Sequence, residues 1–161
     1  MTGSADVVSI FPAYERGSPV LHATIYGLPI PQGSLNKSRY STYYDNAEVL
    51  LPWRERLHNE FLRRVLGRPG FPIDEAVWVE VVFTVKKPVA APKRRRTYPK
   101  TKPDTDKLQR AIGDALKSSG ALTEDSRIAW WVAGKVFPNE HPLALGTPGA
   151  IVYVYPIGVG S

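Results

Sequence analysis

The clearest signal along the chain is a switch between two hydrophobic periods. From Val77 to Val85 every residue is β-branched, aromatic or acidic, and Trp78, Glu80, Val82 and Thr84 alternate with Val79, Val81, Phe83 and Val85. A period of two with that composition predicts a strand. Between Val20 and Leu28, His22, Thr24 and Tyr26 alternate with Leu21, Ala23 and Ile25 and predict another. Two segments carry the helical period instead. Leu50, Trp53, Leu57, Phe61 and Val65 share a face of a helix that runs to Leu66 and stops at Gly67. Pro52 is tolerated only near a first turn, which favours a start at Leu51 over one at Asn46. A second helix is expected from about Asp104 to Ser118, with Leu108, Ala111, Ile112, Ala115 and Leu116 on one face and Ser118-Ser119-Gly120 as its stop. Ile128 to Phe137 and Ala150 to Tyr155 read as two more strands, separated by the loop Pro138 to Gly149. The order strand, helix, strand, helix, strand, strand predicts a single α/β (α+β) domain, a small mixed sheet of about four strands packed with two main helices.

Between these elements lie three irregular stretches. Gly27-Leu28-Pro29-Ile30-Pro31-Gln32-Gly33-Ser34 breaks regular structure. Leu35 to Tyr44 is polar, basic and aromatic, and Lys86 to Lys102 is a basic, proline-containing loop or arm. Residues 1–18 have no clear period and are expected to form a mobile arm or an added edge. The folded domain is then expected over 19–157, with a short tail at 158–161. There is no internal repeat.

Composition narrows the partners. A chain of 161 residues is one domain by the usual length prior. Its formal charge of +6 favours a polyanion, with nucleic acid ahead of an anionic membrane. No apolar run is long enough to span a bilayer, and Met1 to Pro19 lacks the pattern of a signal peptide, so a cytoplasmic protein away from membranes is expected. Cysteine is absent, which excludes disulfides, Cys-ligated zinc and a thiol nucleophile. His22, His58 and His141 have no ligand spacing. No phosphate-binding glycine loop, dinucleotide fingerprint or serine elbow is present, so no nucleotide cofactor is expected.

The chemistry concentrates in Lys102-Pro103-Asp104-Thr105-Asp106-Lys107-Leu108-Gln109-Arg110 and in Glu124-Asp125. Two carboxylates in one small site repel unless a cation or proton intervenes. Mg²⁺ needs few carboxylates besides water and phosphate oxygens, so Asp104, Asp106 and Asp125 suffice as ligands. The bland alternative is that Asp104 caps the helix, Asp106 complements its dipole and Asp125 is a solvated loop acid. An EF-hand is rejected: Leu108, Gln109 and Ala115 stand at loop positions 5, 6 and 12, where a ligand, a glycine and a glutamate belong. Asp114 is expected to pair with Arg110 one turn away, or to orient it toward the metal. Lys86, Lys87, Lys93, Arg94, Arg95, Arg96, Lys100 and Lys102 place eight of the 21 basic residues within 17 positions, beside these acids. A charge run is usually a solvated face, but one this dense beside a carboxylate pair reads better as a phosphate grip. Lys37 and Arg39 with Tyr40, Tyr43 and Tyr44 form either a second contact surface, with rings able to stack on unpaired bases, or a strand edge. Trp130 and Trp131 are expected to divide between core and surface.

Taken together, Pro103-Asp104-Thr105-Asp106-Lys107-Leu108, Asp114-Ala115-Leu116, Gly120 and Glu124-Asp125-Ser126-Arg127-Ile128 resemble the RusA family of Holliday-junction resolvases. Gly27-Leu28-Pro29-Ile30-Pro31 with Asn36 and Lys37 resembles the family's opening strand and loop. The resemblance implies a homodimeric endonuclease that depends on Mg²⁺, with Mn²⁺ as a substitute, and nicks branched DNA symmetrically at four-way junctions. It implies Asp104, Asp106 and Asp125 as catalytic metal ligands. It also implies junction contacts from Lys37, Arg39, Lys93, Arg94, Arg95, Arg96, Lys100 and Lys102. The chain departs from the family pattern in three places. Lys107 replaces an asparagine, Arg110 replaces a functional lysine and Glu124 replaces an aspartate. Arg110 keeps the charge but donates no proton at ordinary pH, so Lys107 is expected to share that role.

Overall fold

The computed structural model describes residues 18–157. Its elements run β1 (Leu21–Tyr26), β2 (Leu35–Lys37), β3 (Thr42–Tyr44), α1 (Ala47–Val65), β4 (Val77–Thr84), α2 (Thr105–Ser118), β5 (Ile128–Val136) and β6 (Gly149–Pro156), with a 3-10 turn at Asp125–Arg127. Four strands form one mixed sheet in the order β1-β6-β4-β5, and β2 pairs with β3 in a separate hairpin. This is the expected small α+β architecture.

Strand β4 is the centre of the sheet, antiparallel to β6 and parallel to β5. Its sequence alternates, yet both of its faces are largely covered: Val77, Val79, Val81, Phe83 and Thr84 are fully buried, and Trp78 and Val82 nearly so. The buried Thr84 hydroxyl accepts the Leu145 N–H at 2.9 Å, which removes the cost of an unpaired polar atom. Trp78 stacks on Tyr155, centroids 4.1 Å apart.

The two helices pack against each other, α1 against β1 and α2 beside β5. Trp53, Leu57, Phe61 and Val65 of α1 meet Leu108, Ala111, Ile112, Ala115 and Leu116 of α2 and the apolar face of the sheet in one core, and Leu50 of α1 is fully buried as well. Each of the larger side chains contributes about 1.5–3 kcal/mol through burial. That burial overrides the proline argument for α1. The helix begins at Ala47, four residues before the expected Leu51, and carries Pro52 inside it. Burying Leu50 requires the earlier turn, and Leu50 N–H bonds to Asn46 O at 3.0 Å.

Because β4 and β5 are parallel, the chain must cross over between them. That crossover consists of the basic stretch and then α2. The β4–β5 register slips once: Val77 pairs with Ile128 but Trp78 pairs with Trp130, leaving Ala129 over. Such a bulge re-aims the following side chains. Ile128 and Trp131 thus both pack against the helix-side core, and Trp130 is left 40 % exposed.

Candidate active site and nucleic-acid surface

The acids gather around the N-terminal half of α2. Asp104 holds the N-cap position in extended conformation (φ −75°, ψ 138°), but its side chain makes no capping hydrogen bond. The bland capping role is therefore not what this carboxylate does here. Asp106 lies in the first turn, and Asp125 opens the 3-10 turn before β5. All three are exposed.

Asp106 and Asp125 face one cleft of about 400 Å³, with Gln109, Arg110, Asp114 and Trp131 around them. Asp106, Lys107 and Arg110 also line an adjoining cleft of about 300 Å³ closed by Gly33 to Leu35. Asp104 stands in a third cavity with Lys107, Lys102 and Asp45. The structure thus brings Asp106 and Asp125 together and puts Asp104 one compartment along. Gln32 lines all three, so they form one continuous trough. Its backbone N–H binds Lys107 O at 3.1 Å, which pins the loop after β1 onto α2.

Among the described residues, no three carboxylate or imidazole groups converge into a ready-made metal cage. The donor set still fits a hard divalent cation. Mg²⁺ binds one or two carboxylates, keeps several waters and takes its remaining ligands from substrate phosphates. An open cleft lined by two aspartates suits that demand better than a closed cage does.

The neighbouring charges are partitioned. Asp114 pairs with Arg54 of α1 at 3.3 Å, so its partner is not Arg110 as helical spacing suggested. Arg110 is exposed and remains directed to the trough. Glu124 is taken up by Lys117 at 2.7 Å. That carboxylate raises the Lys117 ammonium above the usual lysine range, with smaller contributions from Asp125 and Asp114. Thr123 and Arg127 both donate to Asp74 and hold its carboxyl below the usual range, which fixes the turn that carries Asp125.

The basic stretch is irregular but anchored. Glu140 Oε1 accepts Lys87 Nζ at 2.8 Å and Thr97 N–H at 3.2 Å, and Lys135 Nζ donates to the carbonyls of Thr101 and Pro103. Lys93, Arg94, Arg95 and Arg96 are left exposed along a groove of about 800 Å³ whose other wall is Pro138 to Pro142. Lys100 and Lys102 are also exposed. Lys37 and Arg39 sit exposed on the β2–β3 hairpin, where Leu35–Lys37 pairs antiparallel with Thr42–Tyr44. The side chains of Tyr43 and Tyr44 lie outside the described residues.

Sequence reasoning passed over Gln32, Gly113, Trp131 and Glu140 as parts of this surface. Gln32 was hidden in a turn. Gly113 falls on the buried side of α2 directly beneath Asp125, and a lone glycine in a helical pattern carries no sign of that. Trp131 reaches the cleft only through the bulge. Glu140 is distant in sequence from everything it holds.

A search of curated proteins returned no match. The family described as Endodeoxyribonuclease RusA matches residues 27–144. The matched span runs from the turn after β1 to the loop after β5 and includes the hairpin, the basic arm and all three acids. The chain belongs to the RusA endodeoxyribonuclease family.

Proposed function

We propose that this endonuclease is a Mg²⁺-dependent Holliday-junction resolvase, acting as a homodimer that nicks two strands of a four-way DNA junction symmetrically. The observation that carries this reading is the trough itself. It gathers Asp106, Asp125 and Arg110 around one cleft, in a chain that also exposes basic residues on the arm and on the hairpin.

Asp104, Asp106 and Asp125 are the oxygen donors proposed for the cation. When bound, Mg²⁺ or Mn²⁺ polarises a phosphoryl oxygen and lowers the pKa of a bound water. Arg110 and Lys107 hold positive charge where the phosphate gains negative charge in the transition state. The arm residues Lys93 to Arg96, Lys100 and Lys102, and Lys37 and Arg39 of the hairpin, neutralise backbone phosphates of the junction arms. Two copies related by a two-fold axis would present two troughs to a nearly two-fold junction.

The test uses a labelled synthetic four-way junction and a matching linear duplex, each with Mg²⁺ or EDTA. Paired Mg²⁺-dependent nicks in the junction alone are expected. Tight junction binding without cutting under any divalent cation would reduce the protein to a junction-binding member of the family. Cutting of forks or flaps in preference to junctions would replace the substrate.

A further inference from the structure

The β2–β3 hairpin is tied to the trough at its base and presents an aromatic ring at its tip. Gly33 and Ser34, which lead into β2, line the cleft that holds Asp106, Lys107 and Arg110. Asn46 Nδ2 donates to Pro31 O at 2.8 Å, and Asp45 N–H donates to Ser34 O at 3.1 Å. Gly33 allows this closure, since a Cβ there would lie 2.0 Å from Asp45 Oδ1.

The tip is equally ordered. Ser38 N–H donates to Ser41 O at 2.7 Å, and the Ser38 hydroxyl accepts Tyr40 N–H at 3.3 Å and Ser41 N–H at 3.0 Å. This cross-linked turn holds Tyr40 at 90 % exposure, flanked by exposed Arg39 and Lys37. A whole aromatic ring kept out of the core, next to two cations, matches the surface that single-stranded nucleic acid uses, where rings stack on bases while cations follow the backbone.

Geometry sets the reach. Three strand residues rise about 10 Å at roughly 3.3 Å each. That is about three base steps at 3.4 Å. A base at the tip therefore lies within a few nucleotides of a phosphate in the trough. Base pairs within a duplex have both faces stacked, so the ring can meet only a base with a free face, as an unpaired base has at a fork or a flanking base pair has at the open centre of a four-way junction.

We propose that Tyr40 stacks on a base whose face is left free at the branch point and so weights binding toward branched DNA. This rests on the junction-cleaving function proposed above. The experiment measures affinity of the full chain in EDTA for three labelled DNAs: a four-way junction, a fork with unpaired bases and a linear duplex. Tyr40→Ala is expected to lower the ratio of branched to linear affinity by about tenfold, the scale of one base–ring stack, while Tyr40→Phe keeps it. Lys37→Ala should weaken all three DNAs together. If Tyr40→Ala and Tyr40→Phe fall alike, or if Tyr40→Ala leaves the ratio unchanged, the stacking role is wrong. A wild-type protein that prefers the fork but not the junction would overturn the resolvase reading and support Tyr40. One that prefers neither would overturn Tyr40.

Discussion

A Cβ built on Gly113 in α2 would stand 3.8 Å from the Cβ of Asp125 and 3.7 Å from Cζ2 of Trp131. The wall of the acid cleft is thus in ordinary contact distance of the helix backbone. Gly113→Ala fits without movement and removes a helix-interior glycine, so it should stabilise the fold by about 0.5–1 kcal/mol in thermal or denaturant unfolding. Gly113→Leu must push between Asp125 and Trp131. Its nicking rate should fall by about tenfold or more, since overpacking at a fixed contact displaces the neighbour. An equally active Gly113→Leu would mean that the cleft does not take the scissile phosphate.

Neutralising Asp106 or Asp125 removes an oxygen donor without changing shape. Asp106→Asn and Asp125→Asn should each lose at least about a hundredfold in cleavage, with junction affinity within a few-fold of wild type, because phosphate contacts carry the binding. Asp104→Asn is expected to behave in the same way. Nicking assays paired with gel-shift titrations in EDTA check all three. Wild-type cutting by any of them would remove that residue from the proposed ligand set.

Lys107 and Arg110 share a cleft with Asp106. Arg110→Ala should lower cleavage by about ten- to a hundredfold with little change in affinity, as expected for charge placed at the transition state. Arg110→Lys should recover most of the rate. If Lys107→Ala cuts as wild type while Arg110→Ala does not, Lys107 has no share in that role.

The arm depends on Glu140. Its carboxylate lies below the usual glutamate range, chiefly through the hydrogen bond from Lys87, aided by the Thr97 N–H. A carboxyl with a depressed folded pKa contributes stability that is present above its unfolded pKa and lost as the pH falls through the folded value. Arm docking is therefore expected to be constant from neutral to mildly acidic pH and to loosen only below the ordinary glutamate range. The Thr97 amide NMR shift should report that titration. Glu140→Ala at neutral pH should speed tryptic cleavage within 93–100 several-fold, as local opening rises. Unchanged proteolysis would show that the arm is held by other contacts.

The parts of the fold that sequence revealed are those where burial repeats at a fixed period. Trp53, Leu57 and Phe61 announce α1, and Leu108 to Leu116 announce α2, because each turn must place a side chain in the same core. The start of α1 was misjudged because a local rule about Pro52 was set against the burial of Leu50, and burial dominated. A strand edge was one of two readings of the hairpin segment, but its two short strands and their pairing were not legible. Three-residue strands with exposed side chains on β2 carry no hydrophobic alternation to detect. For the site, spacing marked the acids of α2, but not that Asp106 rather than Asp104 would share a cleft with Asp125, which depends on helix rotation. Asp114 paired across to Arg54 and not along its own helix, a choice only tertiary packing makes.

The basic arm and the helix that carries Asp104 and Asp106 are successive lengths of one crossover between adjacent strands β4 and β5. Glu140 pinches that crossover at Lys87 and Thr97, so the stretch between them closes on itself before the acids begin. Closing a longer loop costs only about 0.6 kcal/mol for each doubling of its length. Insertions or deletions between positions 88 and 96 would therefore lengthen or shorten the grip without shifting the sheet or the carboxylates. Grip and hydrolytic centre can diverge independently, so relatives could exchange one DNA architecture for another while the cutting chemistry stays fixed.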